Sequence, residues 1–114
     1  MEIRLIVIRT NDPKRLTDFY SLLGLTFDYH SHNNSPFHYS TTIGTLVLEI
    51  YPLTKNQTEA DKNLRLGFAV DEFEETLERL SSNGFKYSEP TVTEFGFLTV
   101  VSDPDGRKIE LYKK

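Results

Sequence analysis

The chain predicts an α+β fold built from two βαβββ modules, one in each half, forming a cup-shaped mixed β-sheet with the helices outside. Two observations carry this. The first is a repeat: the strand-like Leu48-Glu49-Ile50-Tyr51 returns 61 positions later as Ile109-Glu110-Leu111-Tyr112. The second is that helix-ending Gly24 returns as Gly84, and Ile3-Leu5-Val7-Arg9 as Asn63-Arg65-Gly67-Ala69. A repeat of this length is one supersecondary unit duplicated, neither copy covering its apolar face alone. At 114 residues the chain suits a single domain, 1–114, with modules at about 1–52 and 63–114.

Each element follows from local chemistry. Ile3 to Thr10 is rich in β-branched residues and short, as strands are. Asp12 caps a helix whose first position is Pro13, where the missing N–H does no harm. Leu16, Phe19, Tyr20 and Leu23 share one helical face, and Gly24 ends it. Strands are expected over Leu25 to His32, Pro36 to Thr42 and Thr45 to Tyr51, the last two joined by Ile43-Gly44 as a tight hairpin. Leu53 to Lys62 is polar and aperiodic, a linker. The second copy runs Leu64 to Val70 as strand, then a helix from Asp71 or Glu72 with Phe73, Leu77 and Leu80 as its stripe and Asn83-Gly84 as its stop. Strands at Phe85 to Tyr87 and Phe95 to Ser102 follow, with Asp103-Pro104-Asp105-Gly106 turning into Arg107 to Tyr112.

Composition excludes several classes. Net charge is −4 and no basic stripe occurs, which argues against a nucleic-acid partner. The chain has no cysteine, hence no disulfide framework, thiolate metal site or cysteine nucleophile. Met1-Glu2-Ile3-Arg4 lacks the layout of a signal peptide, and no apolar run reaches spanning length, so a cytoplasmic protein off the membrane is expected.

Strand alternation selects the residues that face away from the helices. Leu5, Val7 and Arg9 do so on the first strand, Val47 and Glu49 on the fourth, Arg65 at the start of the second copy, and Glu110 and Tyr112 at its end. If Thr42 pairs with Thr45, His38 lies directly opposite Glu49. A glutamate among apolar strand neighbours must be compensated. Arg65 is one compensating group, because a guanidinium takes a carboxylate through two parallel hydrogen bonds; binding an anionic substrate group is its other role. His38 reads either as a base oriented by Glu49 or as a hydrogen-bonded cross-strand partner. His30 and His32 alternate on one strand face like a metal pair, but lie among Ser31, Asn33 and Asn34 and are read as exposed. Phe95, Phe97 and Tyr112 read either as ligand-stacking aromatics or as core.

The residues Asp12-Pro13, Phe19-Tyr20, Leu23-Gly24-Leu25 and Asp103-Pro104-Asp105-Gly106 with Ile109-Glu110-Leu111 resemble the vicinal oxygen chelate superfamily of glyoxalase, bleomycin-resistance and dioxygenase proteins. His38-Tyr39-Ser40 and Leu48-Glu49-Ile50-Tyr51-Pro52 are similar to a subgroup of small glyoxalase-like proteins. The resemblance implies paired βαβββ modules, a homodimer and a small-molecule ligand. It also implies a metal held by a His or Gln on the first strand of each module and a Glu on the last. Here those positions are Leu5 and Arg65, with Glu49 and Glu110, so no cofactor is expected at the family position. A divalent cation, if one binds, would use His38, Glu49 and Glu110. Two functions stay open on this reading. One is lyase or isomerase chemistry with Glu49 and His38 catalytic and Arg9, Arg65, Glu110 and Tyr112 around the substrate. The other is non-catalytic sequestration of a ligand of the bleomycin-resistance type.

Overall fold

A computed structural model describes residues 1–114. Contacts divide the chain into two compact units, Met1–Ser21 with Leu25–Asp61, and Leu22–Gly24 with Lys62–Lys114.

In the first unit, β1 (Leu5–Thr10) leads to α1 (Pro13–Ser21), then β2 (Asp28–His30), β3 (His38–Ile43) and β4 (Leu46–Pro52). The sheet order is β1-β4-β3-β2, with β1 parallel to β4 and the other pairs antiparallel. Asp12 caps α1 as its composition predicts, its Oδ1 accepting from the Arg15 N–H at 3.1 Å. Leu16, Phe19 and Tyr20 are buried, as are Ile8, Leu48 and Ile50 on the strands that meet them. This apolar layer fixes which sheet face turns to the helix and leaves Val7, Arg9, Glu49 and Tyr51 on the other.

The second unit repeats the order with β5 (Leu66–Val70), α2 (Phe73–Ser82), β6 (Thr91–Thr93), β7 (Gly96–Ser102) and β8 (Lys108–Lys113). Its sheet is β5-β8-β7-β6, with β5 parallel to β8. Gly84, at φ +85°, closes α2 in a Schellman arrangement: its N–H reaches Ser81 O and the Phe85 N–H reaches Leu80 O at 2.9 Å. The turn before β8 is locked by charge. Arg107, 1% exposed, donates to Asp103 Oδ2 at 3.2 Å and Asp105 Oδ2 at 2.9 Å. Burial opposes the Arg107 charge, but Asp105 and Asp103 outweigh it and hold the guanidinium above its ordinary pKa.

Three expectations change. The hairpin between β3 and β4 turns on Gly44-Thr45, since Ile43 pairs with Leu46. Gly44, at φ +60°, takes the first loop position, the geometry of a type II′ turn. The register therefore slides by two residues relative to a Thr42–Thr45 pairing. In the second unit Phe85 to Tyr87 is not a strand, and only Tyr87 bridges to Val101. The edge strand there is β6, whose Val92 is exposed and which is held by pairing with β7 rather than by apolar burial. β2 is also shorter than the Leu25 to His32 run, because no partner residues continue β3 before His38.

Candidate functional site

Two groups of polar side chains stand on the sheet faces turned away from the helices, one in each unit.

In the first unit the slid register sets Ser40, not His38, opposite Glu49. One step past the Tyr39–Ile50 pair, His38 comes beside Tyr51, and the two rings stack with centroids 4.1 Å apart and planes 10° off parallel. His30 lies across from His38 on β2, and Arg9 across from Tyr51 on β1. A single row thus crosses all four strands: His30, His38, Tyr51, Arg9. Arg9 lays its guanidinium 4.9 Å over the Tyr51 ring and donates to Pro52 O at 3.1 Å.

Glu49 sits diagonally from His38, its Oε2 3.4 Å from His38 Nε2. The imidazole of His38 is fully buried, and its Nδ1 donates to Pro36 O at 3.0 Å, since a carbonyl can only accept. His32 lies beyond the end of β2, where Asn33 takes a left-handed φ of 47° and the Ser35 N–H returns to His32 O at 2.8 Å. The Ser35 hydroxyl in turn accepts from the His32 N–H at 2.9 Å. This turn folds the His32 ring inward until its Nε2 is 3.1 Å from His38 Nε2 and 3.9 Å from Glu49 Oε2. His32 keeps 55% of its side chain exposed, so surface placement and membership of the cluster are both true of it. His30, His32, His38 and Glu49 form a His/Glu group that could hold a metal, with ligand atoms all within 4.8 Å of one another. Glu110 is not part of it. Reading along the strand missed His30 and His32 as partners; the usable signal was Asn33-Asn34-Ser35-Pro36, a turn able to send His32 back toward His38.

In the second unit Glu110 Oε1 accepts from the Tyr112 hydroxyl at 2.8 Å and Oε2 from Arg65 Nη2 at 3.2 Å. The hydrogen bond to Glu110, together with burial and the carboxylate charge, raises the Tyr112 pKa; Arg65 acts in the opposite sense. Gly67 on β5 leaves room for the Tyr112 ring, because a Cβ there would stand 3.1 Å from Tyr112 Cε1 and press the ring aside. Beside the pair lies a cleft of about 640 Å³ lined by Thr93, Glu94, Phe95, Leu98, Glu110 and Tyr112. The residues at the family's metal position do not fit a cation: Leu5 offers no donor, and the Arg65 charge already occupies Glu110.

The profile of the Glyoxalase/Bleomycin resistance protein/Dioxygenase superfamily matches residues 2–111, and the chain belongs to that family. Among solved structures it is similar to an antibiotic binding protein, TnmS3 from Streptomyces sp. CB03234, at 21% identity and TM-score 0.76, covering 99% of this chain and 95% of that one. Oxidase ChaP-H2 aligns at 16% identity and TM-score 0.77, covering 100% and 94%. A glyoxylase/bleomycin resistance protein/dioxygenase domain from Frankia sp. EAN1pec aligns at 16% identity and TM-score 0.80, covering 99% and 91%. Comparison with curated proteins finds no match. These likenesses support the two-module α+β fold. No helix is long and apolar enough to cross a membrane.

Proposed function

We propose that this protein binds a small, flat organic molecule, neutral or cationic, in the cleft of the second unit. The observation that carries the reading is Phe95, 74% exposed at a cleft that also presents Glu94, Glu110 and Tyr112. An exposed aromatic beside carboxylates offers a stacking face and hydrogen-bond acceptors, which suits a ring bearing N–H or ammonium groups. The antibiotic-binding relative supports a sequestering role of this kind. Saturation-transfer NMR against a panel of planar cationic and neutral aromatics tests it. Binding that weakens at least about tenfold in Phe95→Ala, and for cations also in Glu110→Gln, is expected; binding indifferent to both substitutions would overturn the reading.

A second reading, lyase or isomerase chemistry, is favoured by the 3.4 Å contact between His38 and Glu49, in which Glu49 would move a proton with His38 assisting and Arg9 holding an anionic end. We read the working form as a cytoplasmic homodimer. Leu5 and Val7, 54% and 38% exposed on the β1 face away from α1, supply apolar area for association. Light scattering that finds only monomer at micromolar concentration would count against the dimer.

A further inference from the structure

We propose that His30, His32, His38 and Glu49 bind one divalent transition-metal ion of the zinc or nickel type. The argument begins at His38. Its Nδ1 carries the hydrogen given to Pro36 O, so Nε2 is the atom turned toward His32 Nε2 at 3.1 Å and Glu49 Oε2 at 3.4 Å. An imidazole lone pair and a carboxylate oxygen at that distance repel unless a cation or a hydrogen-bond donor stands beside them, and the donor at hand is His32 Nε2, 3.1 Å from His38 Nε2. A metal on Nε2 supplies that charge and turns the Nδ1–H to carbonyl bond into the usual orienting contact behind a ligating histidine.

The spacing agrees. A tetrahedral site with arms of about 2.1 Å has edges of roughly 3.4 Å between ligand atoms. The three measured separations, 3.1, 3.4 and 3.9 Å, bracket that value. His30 brings the fourth donor from the neighbouring strand, within 4.8 Å of the others. Three imidazoles and one carboxylate, with no thiolate in the chain, suit zinc, nickel, copper or iron rather than magnesium or calcium, which prefer all-oxygen shells.

The nitrogen donors come from β2, the turn after it and β3, and all four ligands belong to the first unit. The site is therefore distinct from one drawing on the first strand of each module, and it stands independently of ligand binding in the second unit. A His32 Nε2–H donated to His38 Nε2, or a proton shared between His38 and Glu49, would hold the same cluster without an ion, and the experiment separates these from metal binding.

Protein stripped with chelator is dialysed against zinc chloride or nickel chloride, desalted and analysed for metal. Its melting temperature is followed with and without the ion, and cobalt(II) is added as a spectroscopic probe. One equivalent per chain, a rise in melting temperature and intense cobalt d–d bands are expected. His32→Ala alters a half-exposed side chain and should leave the fold intact while weakening affinity at least about tenfold. Glu49→Gln, likewise folded, should also weaken it. No retained metal together with no thermal shift would overturn the proposal in favour of a cluster held by hydrogen bonds alone. So would metal bound equally well by His32→Ala and Glu49→Gln, or metal lost in Glu110→Gln but kept in His32→Ala.

Discussion

His38 stacks face to face on Tyr51, centroids 4.1 Å apart, and Arg9 also lies over the Tyr51 ring, 4.9 Å from its centroid. One phenol ring therefore supports both a buried imidazole and a guanidinium. Tyr51→Ala removes the support from both, and the stacked and cation–π terms together with lost apolar burial predict a destabilisation of about 1–3 kcal/mol in urea melts. Tyr51→Phe keeps the ring and should lie within about 0.5 kcal/mol of the parent.

The Asp103-Arg107-Asp105 cluster should dominate the second unit's stability. Asp103 and Arg107 are 4% and 1% exposed; removing the Asp103 carboxylate leaves Arg107 to Asp105 alone and takes the acceptor from the backbone N–H groups of Asp105 and Arg107. Asp103→Ala is expected to cost about 3–5 kcal/mol by chemical denaturation. A loss under about 1 kcal/mol would mean that Asp105 and water together compensate Arg107 without Asp103.

Arg65 differs from this, although it too pairs with a carboxylate. Its side chain is 60% exposed and that of Glu110 31%, so solvent screens the pair. Arg65→Leu should change stability by less than about 1 kcal/mol. A large loss confined to neutral pH would instead show Arg65 neutralising a desolvated Glu110.

Tyr112 offers a test by pH. Its pKa in the folded state is raised, first by the hydrogen bond to Glu110, so the stabilising form is the protonated phenol. Its contribution is present below the unfolded phenol value, about 10, and is lost as pH rises through the higher folded value. A site-resolved NMR titration of labelled tyrosine should show Tyr112 titrating late. Glu110→Gln should bring it down toward the ordinary phenol value. Gly67→Ala should do the same in weaker form, by pressing the ring away from the carboxylate.

Much of this was legible in the residues themselves. The helical stripe Leu16, Phe19, Tyr20 and the alternation along Leu48 to Tyr51 record burial directly, because each repeats with the period of its element. The pairing of Arg65 with Glu110 follows from strand parity and charge. The position of His38 was harder: parity put it on the correct face, but its exact neighbour depends on whether Gly44 is first or second in a two-residue loop. His32 was harder still. Its place is set by the left-handed Asn33 and by the Ser35 bonds, which have no periodic signature. β6 escaped because a three-residue edge strand next to Pro90 is defined by its partner's hydrogen bonds and not by its own side chains.

The row across the first sheet has a counterpart in the second. Arg9, Tyr51, His38 and His30 correspond by pairing to Ala69, Tyr112, Leu98 and Thr91. The tyrosine and the neighbouring glutamate are common to both copies, while the flanking three positions are polar in one and small or apolar in the other. Each copy has its own complete sheet and helix, so changes in one row need not disturb the other. The two halves thus share one plan but carry different rows: a nitrogen-rich one in the first and a more apolar, acid-edged one in the second. A protein made of two first halves joined in tandem would carry the imidazole cluster twice, and one made of two second halves would carry none.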